Sequence, residues 1–162
     1  MKSYVYHSAT ATAHALIEHL IAMMEREPEK TFYFAFSGGS TPSLMFDIWA
    51  NEYKEVTPWM RMRIYWVDER CVPAEDYESN YGTMRRLLLD EVGMPDEYVY
   101  PIYGVNRPEI EAKNYSTLGL PHGSALGWLP GLRCRFARCW RRRAYLLYLS
   151  GAGISAFFLS SL

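Results

Sequence analysis

The chain has 162 residues and a formal net charge of −1, which sets a prior of one domain with a substantial core. All 18 acidic residues and eleven of the 17 basic ones lie before Gly119, whereas the other six basic residues, all arginine, follow it. The aromatic and apolar content excludes a disordered chain, and no basic patch extends into the acidic head, which excludes a nucleic-acid role for the arginines.

Cys71, Cys134 and Cys139 form no C-x-x-C pair, and the four histidines are not grouped at metal-ligand spacing, so no structural zinc is expected. The opening Met-Lys-Ser-Tyr-Val-Tyr-His lacks the apolar core of a signal peptide, which makes the cytoplasm the expected location.

Ser3 to His7 alternates weakly, as a short first strand does. Ala13, Leu16, Ile17, Leu20, Ile21 and Met24 then recur at helical spacing, with Ser8 or Thr10 as cap and Pro28 beyond the end. His14 and His19 fall on or beside this stripe and read as helix-surface histidines.

Thr31 to Phe36 is apolar on both faces, as an interior parallel strand must be. It runs into Ser37-Gly38-Gly39-Ser40-Thr41-Pro42, in which Ser40 or Thr41 can cap a helix with Leu44, Met45, Ile48 and Trp49 on its apolar face. Strand, glycine pair and helix N-terminus in this order suit anion binding: the backbone can approach closely, and unpaired N–H groups and the helix dipole favour negative charge. Hydroxyls of Ser37, Ser40 and Thr41 can add donors without charge. The plain alternative is a tight βα connection, and no Gly-Lys-Ser/Thr of a P-loop follows.

Met62 to Val67 reads as a second such strand, ending in Asp68-Glu69-Arg70-Cys71-Val72-Pro73. Carboxyl ends of strands carry the crevice in open α/β sheets, so Asp68, Glu69 and Arg70 are expected to face it, with Arg70 able to grip phosphate or carboxylate. A salt-bridged loop is the structural alternative. Ser79-Asn80-Tyr81-Gly82 precedes a helix that ends near Gly93; Tyr98 to Tyr103 reads as a strand and Pro108 to Thr117 as a helix. The alternation predicts a doubly wound α/β layer structure.

Taken together, Phe36 to Pro42, Trp66 to Pro73 and Ser79 to Gly82 resemble the 6-phosphogluconolactonase group of the glucosamine-6-phosphate isomerase/deaminase-like superfamily, over residues 1–118. The resemblance implies a Rossmann-like, mostly parallel sheet, incomplete at its C-terminal end. It also implies hydrolysis of 6-phosphoglucono-δ-lactone to 6-phosphogluconate, with no metal or organic cofactor. By resemblance, Ser37, Gly38, Gly39, Ser40 and Thr41 bind the phosphate, and Asp68 and Arg70 line the substrate cleft. The group's base is the histidine of Asp-Gly-His-Thr; no such motif stands here, and His122 lacks the preceding Asp-Gly, so no catalytic residue is assigned. Two alternatives are a sugar-phosphate-binding module without catalysis and an aminosugar-phosphate isomerase or deaminase.

Residues 119–162 read as an aberrant tail. Trp140 to Gly153 can be encoded so that the bases read one nucleotide later give Gly-Val-Asp-Gly-His-Thr-Ser-Ser-Ile-Phe-Pro-Gly-Gln. Leu132 to Cys139 likewise permits Phe-Asp-Ala-Ala-Leu-Leu-Ala-Val before it. The expectation is a frameshift between about Tyr115 and Leu132, with a tail that packs poorly and exposes apolar surface. The competing reading is a C-terminal membrane anchor over Ala144 to Leu162 behind Arg141-Arg142-Arg143, against which Ser-Gly-Ala-Gly interrupts the run.

Overall fold

The computed structural model describes residues 6–118 and the backbone of 144–150 and 153–159. The first-strand expectation at Ser3 to His7 falls largely outside the described residues. Helix α1 (Ala9–Arg26) opens on Ser8, whose Oγ accepts from the Ala11 N–H at 3.1 Å, so Ser8 rather than Thr10 is the cap. Its buried residues are the predicted stripe from Ala13 to Met24, the face that leaves water when α1 packs on α2.

Strand β1 (Phe32–Phe36) lies between β2 (Met62–Trp66) and β4 (Ala144–Ser150) in a sheet of order β3-β2-β1-β4-β5, with β3 at Val99–Tyr100 and β5 at Gly153–Leu159. β1 and β2 are parallel from Phe32↔Met62 to Phe36↔Trp66, and β2 and β3 are parallel at Ile64↔Val99 and Tyr65↔Tyr100. The first of these crossovers carries helix α2 (Ser40–Glu52). The second carries α3 (Asn80–Met84), continued by a π-helical stretch (Arg85–Leu89) and a last turn, α4 (Asp90–Val92). Both crossovers step in the same direction, so right-handed connections put their helices on one face, and α2 does pack on the π-helical stretch.

On that face Phe32, Phe34 and Phe36 are almost fully buried, and Phe36 meets Phe46 of α2 edge-on at 5.6 Å. The strand period of two sends Tyr33, Tyr65 and Tyr100 to the opposite face, where the Tyr65 and Tyr100 rings stack at 4.6 Å. Helix α5 (Pro108–Ser116) starts with proline in its first turn, as the sequence predicts. It is tied to the strand ends by the Tyr115 hydroxyl, which accepts from the Trp66 N–H at 2.8 Å and lies within reach of the Trp66 and Tyr100 carbonyls.

One expectation changes. The strand predicted from Tyr98 to Tyr103 is only Val99–Tyr100, because Tyr98 closes a 3-10 turn and Pro101 has no N–H to continue the ladder. In the tail, β4 and β5 form an antiparallel hairpin on the β1 edge, with Phe36↔Leu146 and Tyr33↔Leu149. An unpaired edge strand is a template for any β-prone segment, and the run from Ala144 to Ser150 supplies one. The fold is thus α/β, with a parallel half, β1 to β3, and an antiparallel extension. Among the described residues no helix is long and apolar enough to cross a membrane.

Candidate functional site

The carboxyl ends of β1 and β2 are neighbours because the two strands are parallel and in register, so the loops after Phe36 and Trp66 open on the same edge. The Val67 N–H donates to the Phe36 carbonyl at 2.8 Å and keeps the two loops together one residue past the strands.

In the first loop Gly39 is the N-cap of α2, with φ 122° and ψ 173°, a conformation that only glycine takes without strain. The sequence expectation that Ser40 or Thr41 caps the helix is therefore corrected: both lie in its first turn. No side chain caps this turn, so its outward N–H groups keep their full donor capacity and the positive end of the dipole. Ser43 bonds to the Gly39 carbonyl through both its N–H and its Oγ. Ser40 is exposed and Thr41 half-buried, so their hydroxyls can reach a bound anion.

Ser37 is different. It is buried, and its Oγ donates to Asp68 Oδ1 at 2.9 Å, so its hydroxyl fastens the two loops together rather than standing open to a phosphate. Asp68 is half-buried, and its Oδ2 has no hydrogen-bond partner among the described residues. It can accept from a sugar hydroxyl while Oδ1 holds Ser37.

Glu69 does not face the crevice as expected. Its carboxylate accepts from the Asn80 N–H at 2.8 Å, the Tyr81 N–H at 2.9 Å, Ser79 Oγ at 3.1 Å and the Arg70 N–H at 2.7 Å. An anion at the start of α3 satisfies orphan donors and complements the dipole. Ser79 is the N-cap, accepting from the Gly82 N–H at 3.0 Å. The third sequence motif is thus the docking point of Glu69, and it opens the helix rather than preceding it.

Asn80, 5% exposed, closes the circuit. Its Nδ2 donates to the Asp68 carbonyl at 3.0 Å, and its carboxamide occupies the space that a Cβ on Gly38 would need. The backbone at Gly38 and this side chain can approach so closely only because position 38 is glycine. Arg70 is exposed, and no described residue pairs with its guanidinium, so its fork of donors is available to an anion.

The structure therefore brings Ser37, Gly38 and Asp68 into one network through Asn80 and sets Gly39, Ser40, Thr41 and Arg70 on the same sheet edge. Sequence reasoning missed Asn80 and the structural role of Glu69. The signal for both was the Ser79-Asn80 cap standing a short loop after the acid pair. His14, outside this network, shares a 2.8 Å hydrogen bond between Nδ1 and the Tyr53 hydroxyl on the helix surface. Among the described residues no three His, Cys, Asp or Glu side chains gather as a metal site.

Comparison with known proteins gives the same regions. The model of a family described as glucosamine-6-phosphate isomerases/6-phosphogluconolactonase matches residues 7–119. A 6-phosphogluconolactonase of Treponema pallidum is 33% identical over 116 residues, 72% of this chain and 47% of that protein. One of Haemophilus influenzae is 40% identical over 84 residues, 51% and 36% of the two chains. A crystal structure of devB protein superposes with a TM-score of 0.67 at 29% identity, covering 75% of this chain and 52% of its own. The chain spans about half the length, or less, of the relatives it matches. Since the family match takes in the glycine loop, the Asp68 to Arg70 turn and the α3 cap together, this chain belongs to the glucosamine-6-phosphate isomerase/6-phosphogluconolactonase family.

Proposed function

We propose that residues 1–118 are the phosphosugar-binding part of a 6-phosphogluconolactonase, with 6-phosphoglucono-δ-lactone as substrate and 6-phosphogluconate as product. The observation that carries this reading is the uncapped first turn of α2 behind Gly39, on the same sheet edge as the unpaired Arg70. The phosphate sits against the N–H groups of the loop from Gly38 to Thr41, with the Ser40 and Thr41 hydroxyls as further donors. Arg70 neutralises the anion and Asp68 orients a sugar hydroxyl.

Hydrolysis of a lactone needs a base to activate water and donors for the oxyanion. The family's Asp-Gly-His-Thr is absent from this sequence, and the described loops hold no histidine. The chain as written is therefore a binder with little or no hydrolase activity, and residues 119–162 are out-of-frame sequence.

Calorimetric titration with 6-phosphogluconate, paired with a lactone-hydrolysis assay, tests both halves. Binding without turnover is the expected result. No binding overturns the site assignment; rapid turnover overturns the missing base. Release of ammonia from glucosamine 6-phosphate would move the assignment to the deaminase branch.

A further inference from the structure

Glu111 of α5 is a buried carboxylate, 3% exposed, bonded into the turn after β3. It accepts from the Tyr103 N–H at 2.9 Å and from Asn106 Nδ2 at 2.6 Å. A carboxylate out of water is tolerated only when it is well bonded, so these contacts hold the turn as firmly as the turn holds the charge. The Asn106 N–H closes the turn on the Tyr103 carbonyl at 3.1 Å.

Within this turn Gly104 lies flush against the backbone of Arg70 and Val72. Any Cβ there would overlap the Arg70 carbonyl oxygen and crowd the Val72 carbonyl and N–H. On its other side the Arg70 N–H is gripped by Glu69, and the Val72 N–H returns to the Arg70 carbonyl at 2.8 Å. The backbone of Arg70 is thus clamped between α3, through Glu69, and α5, through Glu111 and the turn.

We infer that Glu111 is a positioning residue for Arg70: through the Tyr103 to Asn106 turn it holds the backbone from which the guanidinium reaches the phosphosugar. This rests on the assignment of Arg70 to that site. A long arginine side chain keeps its reach only if its own backbone is fixed, and a loosened turn costs ligand contact without touching the ligand.

The test is a double-mutant cycle read by calorimetry with 6-phosphogluconate, thermal unfolding being followed in parallel. Glu111→Gln is expected to weaken binding about 5- to 20-fold, and Asn106→Ala, at an exposed position with little risk to folding, about 2- to 4-fold. In an Arg70→Ala background either change should cost less than about twofold more, because the positioned group is gone. Full additivity, or unchanged affinity in both single variants, overturns the positioning role alone. A wild-type chain that binds while Arg70→Ala binds equally well removes Arg70 from the site and this inference with it. A wild-type chain that does not bind removes the proposed function first.

Discussion

Gly38 is where the three loops meet, because the Asn80 carboxamide fills the place of its missing side chain. Gly38→Ala must displace either the loop or Asn80. We expect it to weaken 6-phosphogluconate binding by at least about tenfold in a chain that still folds, since loop N–H groups moved by an ångström lose their aim. Adding Asn80→Ala vacates the space and should recover part of the loss, a sign reversal that titration of both variants would show; two additive losses would refute the contact. Arg70→Lys, which keeps the charge and loses the fork, should bind several-fold more weakly, about 1 kcal/mol. At this scale the sequence named the participants better than their tasks. Ser37 and Asp68 are both read from the sequence as ligand-facing, and the structure adds a bond between them across 31 positions, a pairing no local pattern encodes. Glu69 looked like an acid for the crevice because composition cannot say which way a carboxylate turns. Only the proximity of the α3 cap, itself a product of the crossover, decides it.

Among the elements, those set by local periodicity were legible and those set by long-range pairing were not. The stripe from Ala13 to Met24 and Pro108 at the start of α5 follow from 3.6-residue spacing and a missing N–H. The shortening of β3 follows from Pro101, which lacks the N–H to extend the ladder despite the aromatic run around it. The join between Glu69 and α3 predicts that Glu69→Gln, by leaving orphan donors at the helix start, costs about 1–3 kcal/mol in urea unfolding. The tyrosine face gives a pH dependence. Burial, reinforced by the neighbouring Tyr100 and Tyr33 hydroxyls, pushes the Tyr65 phenol well above its ordinary value, and burial also raises Tyr33. The folded state therefore holds these protons more tightly than the unfolded one. Their contribution is fully present below the unfolded value of about 10 and is lost as pH rises through the folded values. Denaturation midpoints should fall steeply above about pH 10 in the wild type and less steeply in Tyr65→Phe; parallel curves would count against the assignment.

For the whole molecule the decisive question is what belongs beside β1. After β3 the chain must return to the free β1 edge, and in doubly wound sheets that reversal is the switch point where ligands bind. The hairpin occupies this edge, but with β4 antiparallel, so the end of β4 at Ser150 lies away from the glycine loop. A strand of the shifted frame, Phe-Asp-Ala-Ala-Leu-Leu-Ala-Val, entering parallel would end beside Ser37 and Asp68. It would deliver the following Gly-Val-Asp-Gly-His-Thr to the edge where the phosphosugar is proposed to sit. Any apolar β-prone segment can pair with an open edge, so the hairpin does not decide between the frames. We expect the nucleotide sequence across codons 110 to 162, read one base later, to contain Asp-Gly-His-Thr. The frame-restored protein should keep the order β3-β2-β1-β4, reverse the β1–β4 pairing to parallel, and hydrolyse the lactone at a rate that His→Ala in the restored motif abolishes. A gene without that motif in the shifted frame would make the hairpin and the arginines before it authentic, and the acidic head would then be a phosphosugar binder with no catalytic histidine of this kind.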